Sequence, residues 1–246
     1  MNTDWIQKVR WEAPIDLSLP LQRGKDNPNA FYIEDPQMEP FRMGTFVGKV
    51  AEGGPCNVEQ ISFSPHGNGT HTECIGHISA ERITINQCLT RFHFKARLVS
   101  LHPEQRGNDQ VITVGQLQAS CGDLKGVEAA VVRTLPNDAQ KRSQRYSGSN
   151  PPYFEAAALD WLQQQGVLHL LTDLPSVDRE EDGGVLSAHH AFWQHPQQPR
   201  LAATITELIF VPDAAADGDY LLNLMIAAFE SDASPSKPVL YPFKIE

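Results

Sequence analysis

The chain has 246 residues, 41% of them hydrophobic, enough for one large core or at most two small domains. Thirty Asp and Glu against 20 Lys and Arg give a formal charge of −10, and no basic run of the kind that neutralises phosphates occurs; nucleic acid is therefore not an expected partner. The longest apolar runs, such as MIAAF from Met225, fall far short of a membrane span.

The first 18 residues lack a continuous apolar segment, with Asp4 and Lys8 interrupting it, and do not read as a signal peptide. Cys56, Cys74, Cys88 and Cys121 form no CxxC pair. They read as mostly reduced thiols, and the expected location is cytoplasmic. No repeat or low-complexity linker divides the chain, so a single domain over 1–246 is expected.

Residues 14–50 are rich in Pro, Gly and Asn, which favours short strands and an extended arm, one able to reach a neighbouring subunit. NVEQISFSP, from Asn57, reads as a strand running into a histidine-rich loop. ERITINQCLTRFHFKARLVSLHP, from Glu81, carries alternating apolar and β-branched positions and predicts a pair of strands. VEAAVV, Val127 to Val132, predicts a buried strand. From Pro151 a proline start, apolar Phe154, Ala157, Leu159 and Leu162, and a stop at Gly166 describe an amphipathic helix. VLHLLTD follows as a strand, a second helical piece begins near Ser187, and ATITELIFV and LLNLMIAAFE read as further strands. The strand–helix–strand order from Val127 to Leu171 predicts a parallel pair under helix cover. The class is mixed α/β, with strands outnumbering helices.

The loop HGNGTHTECIGH, His66 to His77, concentrates three histidines, a glutamate and three glycines. In an extended segment His71 and Glu73 point to the same side, so both can meet one divalent ion while Thr72 turns away. His66, five residues before His71, would face the other way unless Gly67 and Gly69 bend the chain. Gly76 gives similar freedom before His77. Imidazole and carboxylate donors suit zinc, manganese or iron. Such an ion acidifies water and polarises carbonyls, and His77, outside the ligand set, can move protons. The competing interpretation is an ordinary polar turn, and local spacing leaves both open. Remote ligands would decide. His189 and His190 stand in SAHHAF, and Glu207 interrupts an apolar strand. If buried, that carboxylate needs a cation or hydrogen bonds; otherwise it faces solvent. Cys74 should point away from the ligand face, which argues against a nucleophilic thiol. Arg133 favours a structural ion pair over substrate binding, Asp178 favours orienting its turn, and His195 belongs to a polar surface insertion. Phe31, Tyr32, Phe41, Phe192 and Trp193 are candidates for a substrate wall, each more readily explained by packing.

As a set, these segments resemble the metal-dependent cyclase-like hydrolase family, which includes bacterial kynurenine formamidases (arylformamidases) and isatin hydrolases. Its pattern HxGTHxDxPxH is similar to the stretch from His66 to His77. SVDREEDGGVLSAHHAF, TITELIFV, IDLSLPL and VVRT at 131–134 resemble other characteristic stretches in the same order. The resemblance implies that His66, His71, Glu73, His189 and Glu207 hold metal and that His77 does acid–base work. It implies a two-metal site, with zinc favoured, or a one-metal manganese version. It also implies a mixed-sheet α/β/α fold assembled as a homodimer or homotetramer. The expected activity is hydrolysis of a small amide, an aryl formamide or cyclic amide, by metal-activated water. The alternatives are a metal-dependent lyase or dehydratase on the same scaffold and a nonenzymatic metal or small-molecule binder. Three departures bear on the site. Glu73 replaces Asp and adds a methylene, Ile75 replaces proline, and one extra residue before His71 can move His66 off the centre and bring Asn68 nearer.

Overall fold

A computed structural model describes residues 4–244. In chain order the strands and helices begin with β1 (Ile15–Asp16), β2 (Gln37–Pro40), β3 (Arg42–Met43), β4 (Phe46–Val47) and β5 (Glu59–Ser62). A helical turn α1 (Pro65–Asn68), strand β6 (His71–Cys74) and a second turn α2 (Ile85–Cys88) follow. Then come β7 (His93–Leu101), β8 (Glu104–Arg106), β9 (Asp109–Ile112), α3 (Val114–Cys121), β10 (Ala129–Thr134) and β11 (Tyr153–Phe154). The chain continues through α4 (Ala156–Gln164), β12 (His169–Thr172), α5 (Ser187–Trp193) and β13 (Thr204–Glu207), and ends with β14 (Gly218–Ile226) and β15 (Ala233–Pro242).

The main sheet runs β1-β15-β14-β7-β10-β12-β13-β6, and β6 also pairs with β15, so seven strands close into a ring with β1 attached outside. Strands β7, β10, β12 and β13 are mutually parallel, separated in sequence by α3, α4 and α5. This is the order expected of strand–helix–strand units, whose crossovers need a covering helix. The remaining ring contacts, β7–β14, β14–β15, β15–β6 and β6–β13, are antiparallel. The expected mixed α/β class is what the chain adopts.

Side-chain alternation along the parallel strands builds two cores. Ala129 and Val131 of β10 join Phe94, Leu98, Leu171, Leu222 and Leu240 in one cluster. Ala130 and Val132 join Leu117, Leu159, Leu162, Phe192 and Trp193 under the helices. Strands buried on both faces read as unbroken apolar runs, which is why AAVV and LL were legible as strands without alternation.

Two local expectations are corrected. Residues 81–103 contain one strand rather than two, because Thr84 and Gln87 form a reciprocal capping box that turns Ile85–Cys88 into a helical turn. In the amphipathic helix, Phe154 belongs to β11 before the first turn, and Ala158 rather than Ala157 faces the core with Leu159 and Leu162.

Between β2 and β5 the chain makes an excursion outside both cores. The strand pairs β2–β5 and β3–β4 are local, and Met43, Val50, Val58 and Ile61 are exposed. Among the described residues no helix is long and apolar enough to cross a membrane.

Candidate metal centre

All four residues of β6 are buried between two neighbouring strands, β13 and β15. The pleat sends Thr72 and Cys74 to one face and His71 and Glu73 to the other. On the first face the Thr72 hydroxyl meets that of Thr206 at 2.8 Å, and Cys74 packs in the core with Ile85, Leu89 and Phe94. A hydrogen bond with the Cys88 thiol and burial both push the Cys74 thiol's pKa up, which leaves it no nucleophile near neutral pH. On the second face, register places Glu207 of β13 opposite His71, with His71 Nε2 3.4 Å from Glu207 Oε2.

The distant imidazole arrives on α5. Asp178 accepts from the backbone N–H groups of Ala188 and His189, at 2.7 and 3.1 Å, and from His189 Nδ1 at 2.6 Å. That fixes the ring with Nε2 aimed at Glu73 Oε1, 3.1 Å away. Trp193 backs it at a ring separation of 5.5 Å, held by its indole N–H donating to the Ala203 carbonyl at 2.9 Å. Glu207 Oε1 in turn accepts from Val177 N–H at 3.0 Å.

His66 reaches the same group. The extra residue is taken up by the helical turn α1, within which Asn68 accepts from Ser64 N–H and donates to the Glu34 carbonyl. Asn68 is thus committed to the loop, and His66 Nδ1 lies 3.2 Å from Glu73 Oε2. Gly67 acts by giving room, not by left-handed backbone: a Cβ there would meet Ile33 Cδ1 at 2.5 Å and the Ala30 carbonyl at 2.9 Å, whereas Gly69, extended at φ 173, has space for one. A Cβ at Gly76 would stand 2.0 Å from the Ile83 carbonyl oxygen. His77, the next residue, keeps a partly exposed ring with Nδ1 3.7 Å from Glu73 Oε2.

The structure therefore brings His66, His71, Glu73, His77, His189 and Glu207 together around Glu73. Ligand-capable atoms of His66, Glu73 and His77, and of His71, Glu73 and Glu207, lie within 4.8 Å of one another. Two of the buried atoms have no hydrogen-bond partner, His71 Nε2 and Glu73 Oε2. His71 Nδ1 already contacts the Gly69 carbonyl at 3.0 Å; if it donates there, Nε2 is left as a bare lone pair. A buried lone pair beside a buried carboxylate oxygen is costly unless a cation lies between them. The donor set therefore fits a divalent ion. Burial opposes charge on His66 and His189, yet a hydrogen bond to Asp232 and the nearby Glu73 carboxylate for the first, and hydrogen bonds to Asp178 and Glu73 for the second, raise each pKa to about 10. Burial works against the Glu73 carboxylate, but His77, His189 and His66 hold its pKa well below the usual range.

Asp232, just before β15, is the member that sequence reasoning missed. Its Oδ2 lies 2.9 Å from His66 Nε2 and 3.2 Å from His77 Nδ1. Within SDASPSKP it looks like any solvated turn acid, and only the pairing of β15 with β6 puts it here. Apart from Trp193, which backs the His189 ring, the other candidates lie elsewhere. His190 bonds the His195 carbonyl at 3.0 Å, and Phe192 and Trp193 are core residues. Phe41 packs on Phe46 in the excursion, and Tyr32 is exposed beside Ser147. Arg133 is tied to Ser100, Asp217 and the Pro212 carbonyl, a structural role.

Comparison with known proteins gives consistent matches in sequence and in fold. The Cyclase family model matches residues 15–179. Kynurenine formamidase of Bacillus cereus is 26% identical over 193 residues, covering 78% of this chain and 83% of the relative. That of Bacillus anthracis is 26% identical over 230 residues, covering 93% and 97%. Isatin hydrolase A from Labrenzia aggregata, solved bound to benzyl benzoate, superposes with a TM-score of 0.68 at 13% identity, covering 97% of this chain and 96% of that one. With the matched segment exceeding half the chain, the protein belongs to the cyclase family of metal-dependent hydrolases.

Proposed function

We propose that the protein hydrolyses a small amide, an aryl formamide or a cyclic amide, at a centre formed by His66, His71, Glu73, His189 and Glu207. The observation that carries this reading is a pair of buried atoms without hydrogen-bond partners, His71 Nε2 and Glu73 Oε2, inside a cluster of ligand-capable side chains. The kynurenine formamidase and isatin hydrolase relatives support the substrate class. Three imidazoles with two carboxylates favour zinc, with manganese the alternative. A divalent ion there supplies Lewis acidity, lowering the pKa of water and polarising a carbonyl.

The chain's own residues do the rest. Asp178 holds the His189 ring, and Val177 N–H holds Glu207, so the ligating atoms are in place before a cation enters. The ring of His77, on the exposed side of Glu73, takes a proton from the attacking water and returns it to the leaving nitrogen. The exposed apolar residues of the excursion, Met43 and Ile61 among them, support assembly as a homodimer or homotetramer. Four free cysteines and an acidic net charge fit a single cytoplasmic domain that binds a small molecule and no nucleic acid.

The test begins with metal content. His71→Ala and Glu73→Ala proteins are expected to fold and to lose bound metal; full retention would refute the centre. His77→Ala is expected to keep metal and lose turnover by about 10²- to 10⁴-fold. Hydrolysis in ¹⁸O-labelled water must place label in the acid product, whereas elimination would leave it unlabelled.

A further inference from the structure

A histidine can serve as ligand or base only with the correct nitrogen deprotonated, so something must choose the tautomer. For His189 it is Asp178 and for His71 the Gly69 carbonyl. His66 and His77 share a third device. Their rings lie 4.5 Å apart, inclined by 33°, and a single oxygen, Asp232 Oδ2, sits against both. It is 2.9 Å from His66 Nε2 and 3.2 Å from His77 Nδ1. An ionised carboxylate only accepts, so both nitrogens must donate to it. The alternative acceptor for His77 Nδ1 is Glu73 Oε2, which at 3.7 Å is beyond hydrogen-bond reach.

We infer that Asp232 is a positioning residue for the reaction: it holds His77 as the Nδ1–H tautomer, leaving Nε2 as the proton-accepting atom, and holds His66 with Nδ1 free toward the cation. The inference rests on the role given to His77 above. Asp232 is itself anchored. Its carbonyl accepts from Cys74 N–H at 3.0 Å, one residue from Glu73, and its Oδ1 accepts from the Ser231 hydroxyl at 3.0 Å. The backbone bond ties the aspartate to the strand that carries His71 and Glu73, so base and ligand are registered to the same rigid element. Asp232 touches neither His189 nor Glu207 through any hydrogen bond of its side chain, which is satisfied by His66, His77 and Ser231.

The experiment compares wild-type, Asp232→Asn and Asp232→Glu proteins, each loaded with zinc. Asparagine keeps the shape but loses the charge, so its one amide oxygen accepts from the two rings more weakly than a carboxylate oxygen does. Its zinc content and KM are expected to stay near wild type while kcat falls about 10- to 100-fold, the usual cost of losing an orienting partner. Glutamate, which retains the acceptor, is expected to recover part of kcat. The decisive readout is independent of turnover. In ¹⁵N-histidine spectra, His77 should be Nδ1-protonated in the wild type and lose that preference in Asp232→Asn. An unchanged His77 tautomer would overturn the inference. A fully active His77→Ala protein would refute the role of His77, while the tautomer spectrum would still decide what Asp232 does.

Discussion

His169 opens β12 buried against the Phe94 ring, 3.9 Å between centroids, with Nδ1 2.8 Å from the Thr204 hydroxyl. Burial, with the charges of Arg91 and Arg200 added, drives its pKa down from 6.5 to about 3. The unfolded chain therefore binds a proton that the folded chain refuses, and stability is lost as pH falls from the unfolded pKa toward the folded one. Between about pH 7 and about pH 5 this single ring should cost about 2 kcal/mol, since each unit below the unfolded pKa is worth about 1.4 kcal/mol. Asparagine at 169 can keep a hydrogen bond to Thr204 and cannot titrate. Urea unfolding of chelator-treated wild-type and His169→Asn proteins at the two pH values measures the effect, with all other groups common to both. The stability gap between them should narrow by about 2 kcal/mol on acidification. Parallel losses would show that His169 is not held neutral by burial.

Three further outcomes follow from contacts already described. Trp193→Phe removes the indole donor from the buried Ala203 carbonyl and should lower unfolding stability by about 1 to 3 kcal/mol, read by urea midpoint; a change below about 0.5 kcal/mol would contradict it. Gly76→Ala sets a methyl against the Ile83 backbone and, by shifting the neighbouring His77, should reduce kcat while also costing about 1 to 3 kcal/mol. Wild-type turnover would show that the backbone there yields freely. Replacing exposed Met43 and Ile61 together by lysine should lower the molar mass seen by light scattering without loss of secondary structure; an unchanged mass would remove the excursion from any subunit interface.

The elements that could be read without coordinates share a property: their signal is local. β10 and β12 announce themselves as apolar runs, and α4 by its proline start and glycine stop. His71 and Glu73 share a face because adjacent pleats alternate. Long-range pairing has no such signature. Nothing in SDASPSKP reveals that β15 lies beside β6, so the ring closure stayed invisible, and Asp232 with it. At Thr84 the difficulty was competition: β-branched Ile83 and Ile85 suggest a strand, whereas the Thr84–Gln87 box satisfies backbone groups locally and wins. The loop glycines stand out in the sequence as sources of backbone freedom, whereas what Gly67 and Gly76 provide is clearance.

The position of β6 in the ring orders events during synthesis. Its sheet partners are β13 and β15, and the Thr72–Thr206 contact alone spans 134 residues. While the ribosome is still making the middle of the chain, the strand bearing His71 and Glu73 has no neighbour to pair with, and His189 and Glu207 do not yet exist. The cluster around Glu73 therefore cannot assemble until nearly the last strand has emerged, so a half-made chain carries only part of it.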